Sequence, residues 1–257
     1  MEPGALSALD LGLAGLAAVA AGAVNALAGG GTLITFPTLT ALGLPTVVAN
    51  VTNTIAMAPG HFGATLAQKR DLAGQRARVR RLVPAALLGG LVGGLLLLFT
   101  TEKVFRQLVP FLILLASALL AVQEPVRKRL LRRLGTHHAS HEALAVVPVF
   151  AASVYGGYFG AGLSVIVLAA LGLLIEDSLT RLNATKQAIG FTANGAAAVL
   201  FLFSGQVHWP AALVMTVAAV AGGVLGGRLA GRVRPSTLRL VVVTVGVAVG
   251  VVYLVRG

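Results

Sequence analysis

The sequence predicts an all-α integral membrane protein, a polytopic helix bundle of two inverted repeats with broken or re-entrant glycine-rich segments. Three observations lead to this class. Of the 257 residues, 57% are hydrophobic and 11% are charged, whereas soluble domains have about 45–50% apolar and about 25% charged residues. The basic residues are concentrated in three short runs, and several motifs recur at a constant spacing along the chain.

The composition excludes whole classes of protein. A mean hydropathy of +0.90 leaves too little polar surface for a soluble enzyme, and the apolar content excludes a disordered chain. The 32 glycines are typical of packed transmembrane helices. The chain has no cysteine, so disulfides, thiolate metal sites and cysteine nucleophiles are excluded.

The formal net charge of +12 is best explained by membrane topology. Fifteen of the 20 Lys and Arg residues lie in the runs 68–81, 124–142 and 228–239. Basic loops between apolar spans face the cytoplasm under the positive-inside rule. A nucleic-acid-binding surface would interleave aromatic residues with the basic ones, and these runs have almost none. The expected surroundings are therefore a lipid bilayer, with no nucleic acid as partner.

Apolar stretches that could cross or enter a membrane recur along the chain. A span needs about 20 apolar residues. Seven stretches are apolar throughout: 11–28, 82–99, 108–122, 143–154, 189–203, 211–227 and 238–254. Two others, 29–45 and 156–176, begin in glycines and are not continuous 20-residue spans. Such interrupted segments are typical of broken or re-entrant helices that line a cavity.

A repeat with a spacing of 133 residues divides the chain. The pattern Gly89-Gly90-x-x-Gly93-Gly94 recurs at residues 222–227, and Asn50-x-Thr52 recurs as Asn183-x-Thr185. We therefore predict a first repeat at 1–124, a basic cytoplasmic linker at 125–142 and a second repeat at 143–257, within a single membrane domain.

The charged runs predict how the two repeats are oriented. If all three runs face the cytoplasm, the loop 100–106 lies outside, whereas the equivalent loop around Arg234 lies inside. Corresponding loops on opposite sides indicate an inverted repeat, with both termini outside. Inverted repeats are typical of secondary transporters, whose substrate site lies near the midplane where broken segments meet.

Polar residues near the two glycine-rich segments are the candidate substrate-binding residues. In the first repeat they are Asn25, Gly30, Gly31, Asn50, Thr52, Asn53 and His61, and in the second they are Asn183, Thr185, Lys186, Gln187 and Asn194. We expect the two Asn-x-Thr motifs to begin helices. Unpaired N–H groups at helix N-termini, amide donors and one ammonium would suit an anion.

Each of these residues also has a plain structural interpretation. Asn50 and Asn183 could be ordinary helix caps, and Lys186 could extend to the membrane interface. His61 could titrate at the site or be a hydrogen-bonded core residue. The carboxylates lie at termini, loops or span ends, which argues against a cation transporter. No metal or cofactor is predicted, and the group His137, His138 and His141 is interpreted as a solvated loop.

Two further features complete the prediction. The paired glycine motifs predict close helix packing, either within the chain or in a homodimer. No protease, hydrolase or ATP-binding motif is present in the sequence, so an enzyme is not expected.

The motifs together resemble a known family. The stretches 25–32, 42–45 and 49–53, followed by 183–187, 204–209 and 222–230, are similar to the sulfite exporter TauE/SafE family over nearly the whole chain. The resemblance implies a multi-pass carrier of the bacterial inner membrane that exports sulfite, sulfoacetate or another organosulfonate. It also implies duplicated halves.

The expected function is therefore export of a small sulfur-containing anion by alternating access. A carrier for another small anion, such as a carboxylate, and a non-transporting membrane scaffold subunit remain alternatives. The sequence leaves open which anion is carried, the coupling ion, the direction of transport and the oligomeric state.

Overall fold

The computed structural model describes residues 6–27, 30–133, 142–229 and 235–256. These residues form ten α-helices and no strand. The helices are α1 (Ala8–Leu27), α2 (Thr32–Ala41), α3 (Thr46–Ala67), α4 (Arg76–Phe99), α5 (Glu102–Arg133), α6 (Val146–Tyr158), α7 (Leu163–Leu174), α8 (Leu179–Leu202), α9 (Trp209–Leu229) and α10 (Pro235–Arg256). The predicted helical class is confirmed.

Helix length and polarity divide the bundle into outer and central elements. By length and composition, α1, α4, α5 and α10 each contain a segment apolar enough to cross a membrane. Helices α3 and α8, of 22 and 24 residues, are also about 30 Å long or more at 1.5 Å per residue. They are less apolar because they carry the polar motifs, which suits a central position.

The two glycine-interrupted segments each contain a short helix. Helix α2 has 10 residues and α7 has 12, lengths of about 15 and 18 Å that are well below the ~30 Å of a bilayer core. Neither crosses a membrane alone, so the prediction of broken helices is confirmed. Gly30, Gly160 and Gly162 adopt positive φ at the turns that precede these helices, which favours glycine at these positions.

Helices α6 and α7 form a hairpin whose two ends lie together. Glu142 precedes α6 and Asp177 follows α7, yet both carboxylates contact the Arg78 guanidinium, at 2.8 and 2.7 Å. The chain therefore enters and leaves this hairpin at one end of the bundle.

The helix positions follow the repeat of 133 residues. Helices α3, α4 and α5 begin at residues 46, 76 and 102, and α8, α9 and α10 begin at residues 179, 209 and 235. The most extensive interhelical contacts join α1 to α9 and α4 to α6. The first helix of each half thus packs on the fourth helix of the other, as a two-fold relation between the halves requires. Inversion across the membrane remains a prediction.

Glycines allow these two contacts to be unusually close. A Cβ built on Gly93 of α4 would lie 2.1 Å from the carbonyl oxygen of Val154 in α6. One built on Gly222 of α9 would lie 2.0 Å from the carbonyl oxygen of Val19 in α1. In both cases backbone packs on backbone across the two halves, so these glycine motifs form contacts within the chain.

The N-termini of α3 and α8 are capped by residues that the sequence did not suggest. The Glu102 carboxylate accepts hydrogen bonds from the backbone N–H of Thr46 and of Val47. Ser178 caps α8 by accepting from the N–H of Arg181. The prediction that Asn50 and Asn183 cap these helices is wrong, since each is the fifth residue of its helix.

Removing the Glu102 carboxylate should destabilise the protein. We expect Glu102→Ala to lower the free energy of unfolding by about 1–2 kcal/mol, because two N–H groups and the Thr46 hydroxyl lose their acceptor. The measurement is the Tm of the purified protein in detergent, with Gln107→Ala, an exposed change on the same helix, as the control. Equal Tm values for the two variants would contradict the capping role.

Candidate substrate site

The central helices α3 and α8 lie side by side and antiparallel. The Thr65 hydroxyl donates to the carbonyl oxygen of Gln187 at 3.2 Å, and the Asn183 Nδ2 donates to the Oε1 of Gln68 at 2.8 Å. Residues near the start of α8 therefore lie beside the end of α3. Most of the predicted polar residues belong to these two helices.

This register separates the predicted residues into two groups. The α3 cluster consists of Asn50, Thr52 and Asn53, and the α8 cluster consists of Asn183, Thr185, Lys186 and Gln187. Asn53 precedes Thr65, which contacts the α8 cluster, by 12 residues; this separation is about 18 Å along a helix. The sequence grouped both clusters as one site, whereas the structure places them at opposite ends of the helix pair.

The α3 cluster is buried and joins α3 to three other segments. The Asn50 Nδ2 donates to the carbonyl oxygen of Tyr158 at 2.9 Å, and the Thr52 hydroxyl accepts from the N–H of His208 at 3.0 Å. The Asn53 Oδ1 accepts from the Thr35 hydroxyl at 2.5 Å. The Oδ1 of Asn50 is buried with no hydrogen-bond partner among the described residues, so this cluster retains one unused acceptor.

The α8 cluster contains the ammonium group of Lys186. Thr185 is buried and donates to the Oε1 of Gln75 at 2.9 Å. Lys186 and Gln187 are half-buried. Within the described part of the chain, neither a hydrogen bond nor an ion pair joins the Lys186 ammonium to another residue. A positive charge on a central membrane helix without a counter-ion is a candidate site for an anionic ligand.

A helix face that is buried at Gly190 and Asn194 extends from Lys186 towards the middle of α8. Gly190 and Asn194 follow Lys186 at intervals of four residues, so all three share one face. No described atom lies within 4 Å of a Cβ built on Gly190. The Asn194 Nδ2 donates to the carbonyl oxygen of Gly190, and its Oδ1 lies 3.5 Å from a Cβ built on Gly160. The turn between α6 and α7 therefore reaches this face.

The remaining predicted residues lie at other positions. Asn25 is exposed, and its Oδ1 accepts from the N–H of Gly31 at 2.7 Å, which fixes the turn between α1 and α2. Gly30 belongs to the same turn. His61 lies in α3, but its side chain is outside the described residues, as are His137, His138 and His141.

The described carboxylates lie at or near the ends of the apolar spans. Glu102 caps α3, Glu142 and Asp177 contact Arg78, and Glu124 pairs with Arg239 at 3.3 Å. None of these pairs involves Lys186. The charge pattern of the described interior therefore favours an anion over a cation.

Sequence reasoning missed a buried charged network beside the α8 cluster. The Arg78 network consists of Gln75, Arg78, Glu142, Asp177 and Arg181. The side chains of Arg78 and Asp177 are only 10% and 14% exposed. Burial opposes the ionisation of Asp177, but hydrogen bonds from Arg78, Arg181 and the N–H of Ser178 outweigh it, so the pKa of this carboxyl lies below its ordinary value.

One feature of the sequence indicated that this network could form. Glu142 and Asp177 flank the short glycine-rich segment that was difficult to assign, and Arg78 lies among six basic residues interpreted as a topology signal. That interpretation treated all six alike. Only the tertiary contacts distinguish the buried Arg78 from its exposed neighbour Arg81.

Long apolar helices, two half-length helices and polar central helices define a multi-pass membrane protein. The chain belongs to the sulfite exporter TauE/SafE family, which matches residues 14–253. The resemblance seen in the sequence motifs is confirmed.

Relatives agree on the class of protein. A Haemophilus influenzae protein named probable membrane transporter protein is 30% identical over 205 residues, 77% of this chain and 76% of its own length. The Escherichia coli K12 probable membrane transporter protein YfcA is 25% identical over 221 residues, 84% of this chain and 79% of its own. The Sinorhizobium probable membrane transporter protein ORF9 is 26% identical over 245 residues, covering 92% and 89%. No solved structure matches the chain significantly. The protein is a membrane transporter and not an enzyme.

Proposed function

We propose that this transporter exports a small sulfur-containing anion, such as sulfite, sulfoacetate or another organosulfonate, across the bacterial cytoplasmic membrane by alternating access. The family's description names a sulfite exporter, whereas the names of the relatives give no substrate. The choice of an anion therefore depends on the chemistry of the central helices.

The ammonium of Lys186, which has no partner among the described residues, carries this proposal. An oxyanion has several acceptor oxygens and needs donors and positive charge, and an ammonium supplies three donors and a full charge. In the low dielectric of a protein interior this attraction is stronger than in water. Glu102, Glu124, Glu142 and Asp177 are engaged with other residues, so none of these contacts competes for Lys186.

Hydrogen-bond donors and acceptors extend along the central helices from this charge. Asn183, Thr185 and Gln187 lie near Lys186, and the α3 cluster lies at the other end of the α3–α8 pair. We propose that the anion binds first or last at Lys186 and passes along the face that includes Gly190 and Asn194. The α3 cluster would then be the second end of the path.

A ligand panel on the purified protein tests the substrate class. Sulfite, sulfoacetate, taurine and dicarboxylates are added separately, and the Tm is measured in detergent. A ligand present at about 100 times its Kd stabilises the folded state by about 2.7 kcal/mol, so we expect sulfite or sulfoacetate to raise the Tm by several degrees. The Lys186→Ala variant, tested in parallel, should respond much less.

The other outcomes of the panel decide between the alternatives. Stabilisation by dicarboxylates alone would replace the sulfur-containing anion with a carboxylate as substrate. A folded protein that responds to no member of the panel would favour a scaffold subunit that transports nothing.

A further inference from the structure

The Arg78 network connects three parts of the bundle next to Lys186. Arg78 of α4 donates to Glu142 at 3.0 and 2.8 Å and to Asp177 at 2.7 Å. Arg181, in the first turn of α8, approaches the same Asp177 carboxylate at 2.9 Å. Asp177 lies in the short segment between α7 and α8, so its ion pair with Arg78 connects that junction to α4.

Gln75 extends the network to the residue that precedes Lys186. Its Nε2 donates to the carbonyl oxygen of Arg181 at 3.2 Å, and its Oε1 accepts from Arg78 and from the Thr185 hydroxyl. The start of α4 and the start of α8 are thereby joined by side chains. This connection lies at the end of α8 that carries Lys186.

The contacts of the hairpin indicate which parts could separate. Glycines of α4 pack on the backbone of α6 and also, at Gly90, on the backbone of α8 at Ala193, so these three helices pack closely in that region. Asp177 belongs to the α7–α8 junction, and α7 has no comparable contact with α4. The pair Arg78–Asp177 therefore joins the α7–α8 junction to the start of α4, 12 residues before the close contact of Gly90 with Ala193.

At the opposite end of the molecule, the residues equivalent to Gln75 and Thr185 also form a hydrogen bond. The residues equivalent to the charged members of the Arg78–Glu142–Asp177 contacts are not charged there. At a spacing of 133 residues, Gln75 corresponds to His208 and Thr185 to Thr52, and these residues also contact each other, through the N–H of His208. In contrast, Arg78, Glu142 and Asp177 correspond to Ala211, Leu9 and Leu44. The ion pairs are thus specific to the Lys186 end.

We propose that the Arg78–Asp177 pair is a gate that closes the Lys186 end of the path and opens when the α7–α8 junction moves away from the start of α4. This proposal rests on the proposed function in one respect, namely that the Lys186 face is part of the substrate path. A buried ion pair suits the task, because desolvation largely offsets its attraction. Opening rehydrates the charges, so the closed and open states stay close in free energy.

The chain contains no cysteine, which permits a direct test by labelling. Gly190→Cys introduces one thiol on the Lys186 face, where no described atom would contact the new Cβ. Right-side-out and inside-out vesicles are treated with membrane-impermeant methanethiosulfonates of either charge, and the labelling rate is measured. In this background, Asp177→Asn and Arg78→Gln should each raise the rate at least about fivefold, from the Arg78 side only.

Two control variants identify the cause. Arg81→Gln removes a positive charge one turn further along α4. The Arg81 side chain is 51% exposed and lies 3.8 Å from Glu142, but it is not part of the Arg78–Asp177 pair, so this change should leave the rate unchanged. Asp177→Glu keeps the charge and should stay close to the parent rate. Monodisperse elution in detergent establishes that each variant is folded. The two neutralising variants lie in different segments of the chain, so either one suffices for the test.

The outcomes separate the gate from the substrate. Rates for the folded neutralising variants within twofold of the Arg81→Gln control, or an increase from the opposite side only, would overturn the gate. The labelling needs no substrate, so the gate can stand even where the ligand panel excludes sulfur-containing anions. Faster reaction of the anionic reagent than of the cationic one would in addition support an anion path.

Discussion

Replacing Lys186 by alanine is expected to reduce sulfite flux in proteoliposomes by at least about tenfold, equivalent to about 1.4 kcal/mol of lost anion binding. The ammonium is half-buried on a central helix and has no partner among the described residues, so its charge is available to a ligand. Without this charge, only hydrogen bonds from amides and hydroxyls would stabilise the desolvated anion. The loss of a hydrogen bond to a charged group costs about 1.5–3 kcal/mol.

Two further variants separate charge from packing at this position. Lys186→Arg keeps the charge but changes its geometry, so an intermediate flux is expected. Lys103→Ala removes an exposed lysine at the start of α5 and should leave the flux unchanged. Normal sulfite flux in folded Lys186→Ala would remove this residue from the site.

Introducing a single methyl group at Gly222 is expected to lower the Tm by several degrees. The new Cβ would lie 2.0 Å from the carbonyl oxygen of Val19, so the backbones of α9 and α1 must move apart. Overpacking of this kind costs about 1–3 kcal/mol, which exceeds the gain of up to about 1 kcal/mol from the helix propensity of alanine. The Tm of purified Gly222→Ala in detergent measures the effect.

The adjacent glycine provides a matched control. A Cβ on Gly223 would lie 3.9 Å from the carbonyl oxygen of Gly22, an ordinary contact. Gly223→Ala should therefore be neutral or slightly stabilising. Equal Tm values for the two variants would contradict the role of Gly222 in the close packing of α1 on α9.

The repeat could be predicted because its physical cause is local in the sequence. Close helix packing requires glycine at fixed intervals, and the same packing occurs once in each half, so the pattern at 89–94 recurs at 222–227. Helix starts at 46 and 179, and at 102 and 235, follow the same spacing. Short helices in the two glycine-interrupted segments could also be anticipated, because the positive φ values there favour glycine.

The helix starts within the candidate site could not be predicted from local propensity. Asn50 and Asn183 are good capping residues, but α3 begins four residues earlier, where a carboxylate 56 residues further along the chain satisfies its first N–H groups. A cap supplied from so far away has no local signature. The proposed anion site therefore depends on Lys186 rather than on free helix N-termini.

The grouping of the site residues also depended on tertiary structure. Asn53 and Lys186 are equivalent under the repeat, and this equivalence suggested that they meet. Because α3 and α8 run antiparallel, equivalent positions lie at opposite ends of the pair. The same arrangement brings Arg78 and Asp177 together across 99 residues of sequence, a contact that composition and spacing do not encode.

Uptake of radiolabelled sulfite by proteoliposomes containing the purified wild-type protein tests the proposed function most directly. We expect uptake that saturates with sulfite concentration, exceeds that of protein-free liposomes and is competed by sulfoacetate. Folded protein whose uptake of sulfite and of sulfoacetate equals that of protein-free liposomes would contradict the assignment of a small sulfur-containing anion as substrate.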